Sequence, residues 1–438
     1  MSTTAISTRV GRELSAICGT DHVTEVPPET VHGCAVAVAV RPGSAAEIAN
    51  ILRFANQNNL AVVPVGGFTQ QQTGAAPAQV NILLYTTRLT EVEHYDPGDL
   101  TIGIGAGCTV GGLCEMIGTS GLLFAGDPPV YQKATIGGLL ATGITGPRRH
   151  GYGGLRDYCI GIHFVTGDGR IGRGGGRVVK NVAGYDMMKL LIGSWGTLGV
   201  ITGASFKLFP WSPQKRTFVA GFATLKEAVE YRSAVLRSPL DPMCLELVSP
   251  EAGALLPGDQ PPGAWSICVR GTGSDAVLAR YRSVLGEAVD RELDGDDEAA
   301  FWRAVADMPY DLWSQHPQSM LLSFTVPLSD VFQVLNDTIT IAQGNTLKVA
   351  AIGRIGVGHI LAALLPAAGT DGNSAYVNTI SALRNRLPHE ASMAVLHCPD
   401  AVHKDVSMLR TPTHVGSMRA MKQALDPKDV LNRGRFFL

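Results

Sequence analysis

Gly175-Gly176-Arg177-Val178-Val179-Lys180-Asn181-Val182-Ala183-Gly184-Tyr185-Asp186, followed closely by Gly193-Ser194-Trp195-Gly196-Thr197-Leu198-Gly199-Val200-Ile201-Thr202, decides how this chain is read. Glycine belongs where a backbone takes positive φ or approaches a neighbour closely. Interleaved here with Lys, Asn, Thr and Tyr, the glycines suggest a chain built around a large, flat, phosphate-bearing molecule.

Glycine is abundant throughout, 51 of 438 residues, with the excess between 66 and 203. The length predicts two or three domains. Hydrophobic residues make up 45% and charged residues 17%, a globular composition. The net charge of −2 and the lack of a basic block give no footing for nucleic acid or an anionic membrane. No apolar run reaches the roughly 18 residues of a membrane span, and residues 1–20 lack the pattern of a secretory signal. The eight cysteines, Cys18, Cys34, Cys108, Cys114, Cys159, Cys244, Cys268 and Cys398, are scattered without a C-x-x-C pair. That suits reduced thiols in the cytoplasm and argues against an iron–sulfur cluster in this chain.

The N-terminal half opens as strand (36–41), helix (45–58, capped by Ser44), strand (60–64) and a glycine turn. Further strands are expected at 81–85, 100–105, 159–166 and 200–208, with helices at 110–119 and 136–142. Pro210-Trp211-Ser212-Pro213 marks a boundary. Beyond it, helices at 226–237, 275–285 and 329–342 alternate with strands at 244–248, 265–270, 320–326, 350–355 and 393–397, predicting an α+β domain with an antiparallel sheet. Segments 257–263 and 294–297 read as solvated loops, and 418–437 as a helix with an irregular tail.

Three segments carry chemistry. Pro64-Val65-Gly66-Gly67-Phe68-Thr69-Gln70 follows a strand, and successive backbone N–H groups in such a turn form an anion-binding concavity; alone, it is equally a plain strand-to-loop turn. Asp127 and Pro128 precede Thr135-Ile136-Gly137-Gly138-Leu139-Leu140-Ala141-Thr142-Gly143, where two glycines cost a helix roughly 1 kcal/mol each against alanine. A close ligand explains that cost, against the alternative of a glycine-containing core helix. Arg148-Arg149-His150-Gly151-Tyr152 offers basic groups to a phosphate or acidic substrate, or forms a solvated loop.

Together these segments resemble the vanillyl-alcohol-oxidase, PCMH-type FAD-binding domain over most of residues 35–210, with a matching tail near 426–435. The resemblance implies a two-lobed α+β fold: an FAD lobe over 1–212, a cap lobe over 213–410, and a C-terminal segment, 411–438, returning to the first. It implies FAD between the lobes. Val65 through Gln70 would meet the pyrophosphate, and Pro64 would join them in binding the cofactor. Asp127, Pro128, Thr135, Ile136, Gly137, Gly138, Ala141, Thr142, Gly143 and Tyr152 would line the cofactor. Val200 and Ile201 would meet the adenine side, and Asn432 the flavin ring edge. Some members attach FAD through a His in the Gly-Gly-His turn. Phe68 stands there, so non-covalent FAD is expected.

Lys180-Asn181-Val182-Ala183-Gly184-Tyr185-Asp186 and Asp426-Pro427-Lys428-Asp429-Val430-Leu431-Asn432-Arg433-Gly434-Arg435 look most like the glycolate oxidase E-type subunit. The resemblance implies oxidation of a small 2-hydroxy acid, glycolate or D-lactate, with electrons leaving through a partner. It also implies a second flavin subunit and an iron–sulfur subunit, and a cytoplasmic chain that reaches the inner membrane only through partners. Catalytic relatives carry a His-x-Gly-Asp-Gly-Asn-x-His stretch that helps bind a metal. The nearest match here, Gly353-Arg354-Ile355-Gly356-Val357-Gly358-His359, keeps one His and lacks the Asp and Asn. No metal is therefore expected. Arg354, His359 and Tyr185 are the candidate substrate contacts, Arg354 because guanidinium matches carboxylate geometry. The degraded stretch leaves a second reading open: a flavin-binding accessory subunit that does not turn over substrate. An NAD-dependent dehydrogenase is disfavoured because no Gly-x-Gly-x-x-Gly follows the strand at 60–64.

Overall fold

The computed structural model describes residues 3–176, 185–212, 214–258, 264–367 and 372–435. The segment 177–184, which includes much of the glycine-rich stretch quoted first, lies outside the described residues. So does most of the loop expected at 257–263. The fold is α+β. It divides into two units: residues Met1–Thr145, Gly154–Trp211 and Thr411–Leu438, and residues Gly146–Gly153 and Ser212–Arg410. The short piece Gly146–Gly153 thus belongs to the second unit, although it lies inside the span expected for the first domain.

Besides two two-stranded ribbons, Thr30–Val31 with Cys34–Ala35 and Leu122–Leu123 with Phe209–Pro210, the first unit holds two larger sheets. One comprises β1 (Val23–Glu25), β2 (Val38–Val40), β3 (Val62–Val65) and β4 (Ile82–Tyr85), in the order β1-β2-β4-β3. β4 runs parallel to both β2 and β3, and β1 is antiparallel. β2 and β4 are buried along their whole length, and such strands read as unbroken Val/Ile/Leu runs. Helix Ala45–Asn58 connects β2 to β3. The Ser44 hydroxyl accepts from the Glu47 N–H, and Glu47 in turn accepts from the Gly43 N–H. This reciprocal cap satisfies two otherwise orphaned donors. Ile48, Ile51, Leu52 and Ala55 turn its apolar stripe onto β2 and β4.

The second sheet is antiparallel: β5 (Val92–Asp96), β6 (Thr101–Gly105), β7 (Cys159–Val165), β8 (Ile171–Gly175) and β9 (Val200–Lys207), in the order β8-β7-β9-β6-β5. Helix Ile136–Thr142 packs on β9.

The C-terminal tail completes the first unit. Leu431 pairs in parallel with Val62, and the Asn432 N–H donates to the Val62 carbonyl at 2.9 Å. The Asp426 carboxylate accepts from the N–H groups of Val430 and Leu431 and from Lys422 Nζ at 2.6 Å. Lys422 also donates to the Thr197 and Leu431 carbonyls. The tail is thereby fixed beside the end of β3.

The second unit is one antiparallel sheet of eight strands: β10 (Lys215–Phe222), β11 (Cys244–Val248), β12 (Trp265–Thr272), β13 (Val289–Leu293), β14 (Met320–Thr325), β15 (Leu347–Arg354), β16 (His359–Pro366) and β17 (Ser392–His397). Their order is β13-β10-β12-β11-β15-β16-β14-β17. Helices Leu225–Arg237, Gly295–Gln315 and Val331–Gly344 pack on it. The acidic run expected as a solvated loop at 294–297 is instead the start of the 21-residue helix Gly295–Gln315, with Asp296, Asp297 and Glu298 in its first turn. Carboxylates are favoured there by the partial positive charge of the helix N-terminus. Glu298 is buried as well, where it meets Arg270.

Candidate functional site

The groove of the first unit begins where β3 ends. A Cβ on Gly66 would collide with the Thr135 hydroxyl, and one on Gly67 would overlap the main-chain carbonyl of Lys133. Both glycines are thus demanded by close packing against the segment that enters helix Ile136–Thr142. Neither has positive φ, whereas Phe68 does, at 61°. Thr135 caps that helix by accepting from the Gly138 N–H. Trp195 (φ 56°) donates its N–H to the Ala141 carbonyl at 2.7 Å, which brings the turn 193–196 onto the end of the same helix. Asn432 (φ 46°) reaches across from the tail, and its Nδ2 donates to the Trp195 carbonyl at 2.6 Å.

The resulting groove is lined by residues 64–71, Thr86, Thr135, Gly137, Gly138, Ala141, Thr142, Trp195, Gly196, Gly199, Val200, Ile201, Asn432 and Arg435. Three sets of polar groups are left over for a ligand. Among the described residues, none accepts a hydrogen bond from the main-chain N–H groups of residues 66–71. Such a run of donors is the chemistry of a phosphate cradle. Asn432 Oδ1 is buried without a partner, an acceptor waiting for a donor. Arg435 is buried and hydrogen-bonded only to neutral oxygens, and burial pushes its guanidinium down to about 10. Free donors toward an anion, an apolar wall at Val200 and Ile201, and a lone buried acceptor fit a dinucleotide bearing a diphosphate and a flat ring.

Of the residues expected from sequence, Pro64, Val65, Gly66, Gly67, Phe68, Thr69, Gln70, Thr135, Gly137, Gly138, Ala141, Thr142, Val200, Ile201 and Asn432 come together in this groove. Asp127, Pro128, Ile136, Gly143 and Tyr152 are not among its lining residues. Ile136 is fully buried in the core, and Gly143 (φ 68°) ends helix Ile136–Thr142 in the left-handed conformation. Tyr152 belongs to the second unit, in the helical turn Arg149–Tyr152 packed on β11. Gln71, Thr86, Trp195, Gly196, Gly199 and Arg435 line the groove without having been singled out. Trp195, Gly196 and Gly199 lie inside the glycine-rich stretch, which was a usable signal; Thr86 carries none.

The other candidates are dispersed. Tyr185 is 90% exposed on the first unit. Arg354 and His359 face each other across β15 and β16 in the second. Arg354 Nη1 lies 2.9 Å from His359 Nδ1, and its Nε is 3.6 Å from the fully buried Glu246 carboxylate. Because guanidinium can only donate, Nδ1 accepts, and the ring proton sits on Nε2, 3.1 Å from Ser323 Oγ. Both ring nitrogens are engaged. Burial, then the nearby charges of Arg354 and Arg149, hold His359 well below the ordinary histidine range. The unfolded chain takes up this proton near pH 6.5 while the folded chain still excludes it. Acidification from pH 7 toward pH 5 therefore costs stability through this residue. We expect urea unfolding of His359→Gln to show a smaller stability loss over that range than the parent; an equal or larger loss would refute the assignment.

Among the described residues, no three His, Cys, Asp or Glu side chains gather as a metal site requires, and no helix is long and apolar enough to cross a membrane.

Two sequence families match the chain: an FAD binding domain over residues 36–175, and the C-terminal domain of FAD linked oxidases over residues 212–383 and 403–436. A D-lactate dehydrogenase of Archaeoglobus fulgidus is 37% identical over 215 residues, 49% of this chain and 48% of that protein, so the alignment spans about half of each. Glycolate oxidase subunit GlcD of Bacillus subtilis is 26% identical over 429 residues, covering 91% of this chain and 88% of the relative. Among solved structures, p-cresol methylhydroxylase with substrate bound matches with a TM-score of 0.74 over 98% of this chain and 96% of that one, at 16% identity, a likeness of fold.

Proposed function

The chain belongs to the FAD-linked oxidoreductases with a vanillyl-alcohol-oxidase, PCMH-type FAD domain, and from that premise we propose that it oxidises a small 2-hydroxy acid, glycolate or D-lactate, and passes the electrons to a partner. The observation that carries this reading is the groove with unspent N–H donors on residues 66–71, together with relatives named for lactate and glycolate oxidation. Bound FAD would accept the hydride equivalent from the substrate carbon. The chain's own residues hold and orient. Residues 66–71 grip the diphosphate and Asn432 Oδ1 takes a hydrogen bond from the flavin end. Arg354 offers Nη2, which has no partner among the described residues, to a substrate carboxylate. His359, engaged at both nitrogens, orients Arg354 instead of serving as a free base, and Tyr185 is the remaining substrate contact.

FAD is held without a covalent bond, since Phe68 occupies the position of the attaching histidine. Acid or heat denaturation releases intact flavin into the supernatant; flavin that stays with the precipitated chain overturns this point. Electrons leave through partner subunits, a second flavin subunit and an iron–sulfur subunit, from a cytoplasmic complex that meets the inner membrane through those partners.

The closed Arg354–His359 pair favours one second reading, a flavin-binding accessory subunit without turnover. The experiment is the anaerobic visible spectrum of the purified chain with glycolate or D-lactate. Bleaching by one acid supports catalysis. A flavin spectrum unmoved by either acid, with no reduction of an artificial acceptor, supports the accessory role. A folded chain without flavin refutes both.

A further inference from the structure

Five cationic side chains among the described residues are nearly inaccessible: Arg232, Arg270, Arg354, Lys422 and Arg435. Three of them meet a carboxylate: Arg270 meets Glu298, Arg354 meets Glu246, and Lys422 meets Asp426. Arg232 and Arg435 do not, and of these two Arg435 lines the groove. It is 4% exposed. Its Nη1 donates to Gln71 Oε1 at 2.6 Å, and its Nη2 donates to the main-chain carbonyls of Gln70, Gln71 and Thr73 at 3.1, 2.8 and 2.9 Å. Every one of these acceptors is neutral. A cation taken out of water without a counter-charge is costly, and an anion bound in the groove beside Arg435 would offset that cost.

The carbonyls that Arg435 holds belong to the loop whose N–H groups are unspent. In a trans peptide the C=O and N–H point in opposite directions. Fixing the Gln70 carbonyl on the guanidinium therefore aims the Gln71 N–H away from it, and the cation polarises that peptide toward stronger donation. Charge and loop orientation thus act on the same anion.

Resting on the reading of this groove as an FAD site, we propose that Arg435 is the counter-charge for the diphosphate of bound FAD, forming one anion site with the N–H groups of residues 66–71. Arg435 holds the loop from behind and supplies the positive field that the neutral loop lacks.

The test measures binding of FAD, and of ADP as a diphosphate without a flavin ring, to the flavin-depleted full chain. Arg435→Gln keeps a donor for the loop carbonyls and removes the charge; it is expected to weaken both ligands by at least about 30-fold. Arg435→Lys keeps the charge and loses the planar fork; it is expected to stay within about fivefold of the parent. Arg435→Gln binding ADP as tightly as the parent overturns the proposal. So does Arg435→Lys losing ADP binding by about 30-fold or more, because the loop contacts and not the charge would then matter. The lysine variant decides the question even if the glutamine variant does not fold. A parent chain that takes up neither FAD nor ADP refutes the FAD reading itself, whereas a parent that binds FAD beside an indifferent Arg435→Gln refutes the counter-charge alone.

Discussion

Gly67→Ala is expected to yield protein purified without flavin and less stable by roughly 1–3 kcal/mol or more, the range for forcing atoms into filled space. The new methyl would fall on the main-chain carbonyl of Lys133, which cannot rotate aside as a side chain could. Relief requires parting the glycine turn from residues 133–135. That same seam holds Gly66 against the Thr135 hydroxyl, the cap of helix Ile136–Thr142. Opening it therefore disturbs both walls of the groove at once. Gly118→Ala is the control. It ends a helix, has nothing within 4 Å of its added Cβ, and lacks positive φ. It should retain flavin and match or exceed the parent's stability. The ratio of flavin to protein absorbance and urea unfolding of both variants check this. Gly67→Ala with full flavin would mean the seam is compliant.

Arg270→Met is expected to cost about 3–5 kcal/mol, the usual consequence of stranding one member of a buried ion pair. Arg270 Nε and Nη2 donate to the two oxygens of Glu298 at 2.6 and 2.8 Å, a bidentate fork between side chains 7% and 4% exposed. The Thr217 hydroxyl adds a bond to Glu298 at 3.1 Å, and Trp302 Nε1 donates to Thr217 at 2.6 Å. The network ties β10, β12 and helix Gly295–Gln315 together, and without the guanidinium the carboxylate keeps one hydroxyl partner of this set. Adding Glu298→Gln should recover part of the loss, because it removes the stranded charge. Denaturant unfolding of the single and double variants measures both. A double variant no better than Arg270→Met would show that the cost lies in lost packing on Trp302, whose ring centre is 5.5 Å from the guanidinium.

Much of the groove was legible because glycine runs report where backbone meets backbone. The reason, however, was different from the one the residues first suggested. Gly66 and Gly67 make room for Thr135 and Lys133, and sequence cannot tell a neighbouring turn of the same chain from a ligand. Helix Ile136–Thr142 was readable from its Thr135 cap, and the antiparallel character of the eight-stranded sheet of the second unit from its alternating strands and helices. Strand Lys215–Phe222 escaped because it opens with two basic residues, and Val289–Leu293 because its three central residues are charged. Helix Gly295–Gln315 hid behind acidic residues that resemble a loop and behind an internal Pro309, the residue that ordinarily ends a helix. Tyr152 sits in a motif that looked continuous with the FAD segments, yet the chain crosses into the other unit for eight residues there. Arg435 illustrates the deepest limit. Nothing in an arginine's letter distinguishes a solvated side chain from one buried by contacts to residues more than 360 positions away.

The tail's attachment beside β3 sets an order of events in synthesis. Val62 and the glycine turn are made early, but Asn432 and Arg435 follow nearly four hundred residues later, after all eight strands of the other sheet. A ribosome pausing anywhere before position 435 holds a first unit with an open wall and an edge at β3 that lacks its last neighbour. Until Asn432 and Arg435 are made, the groove lacks two of the residues that line it.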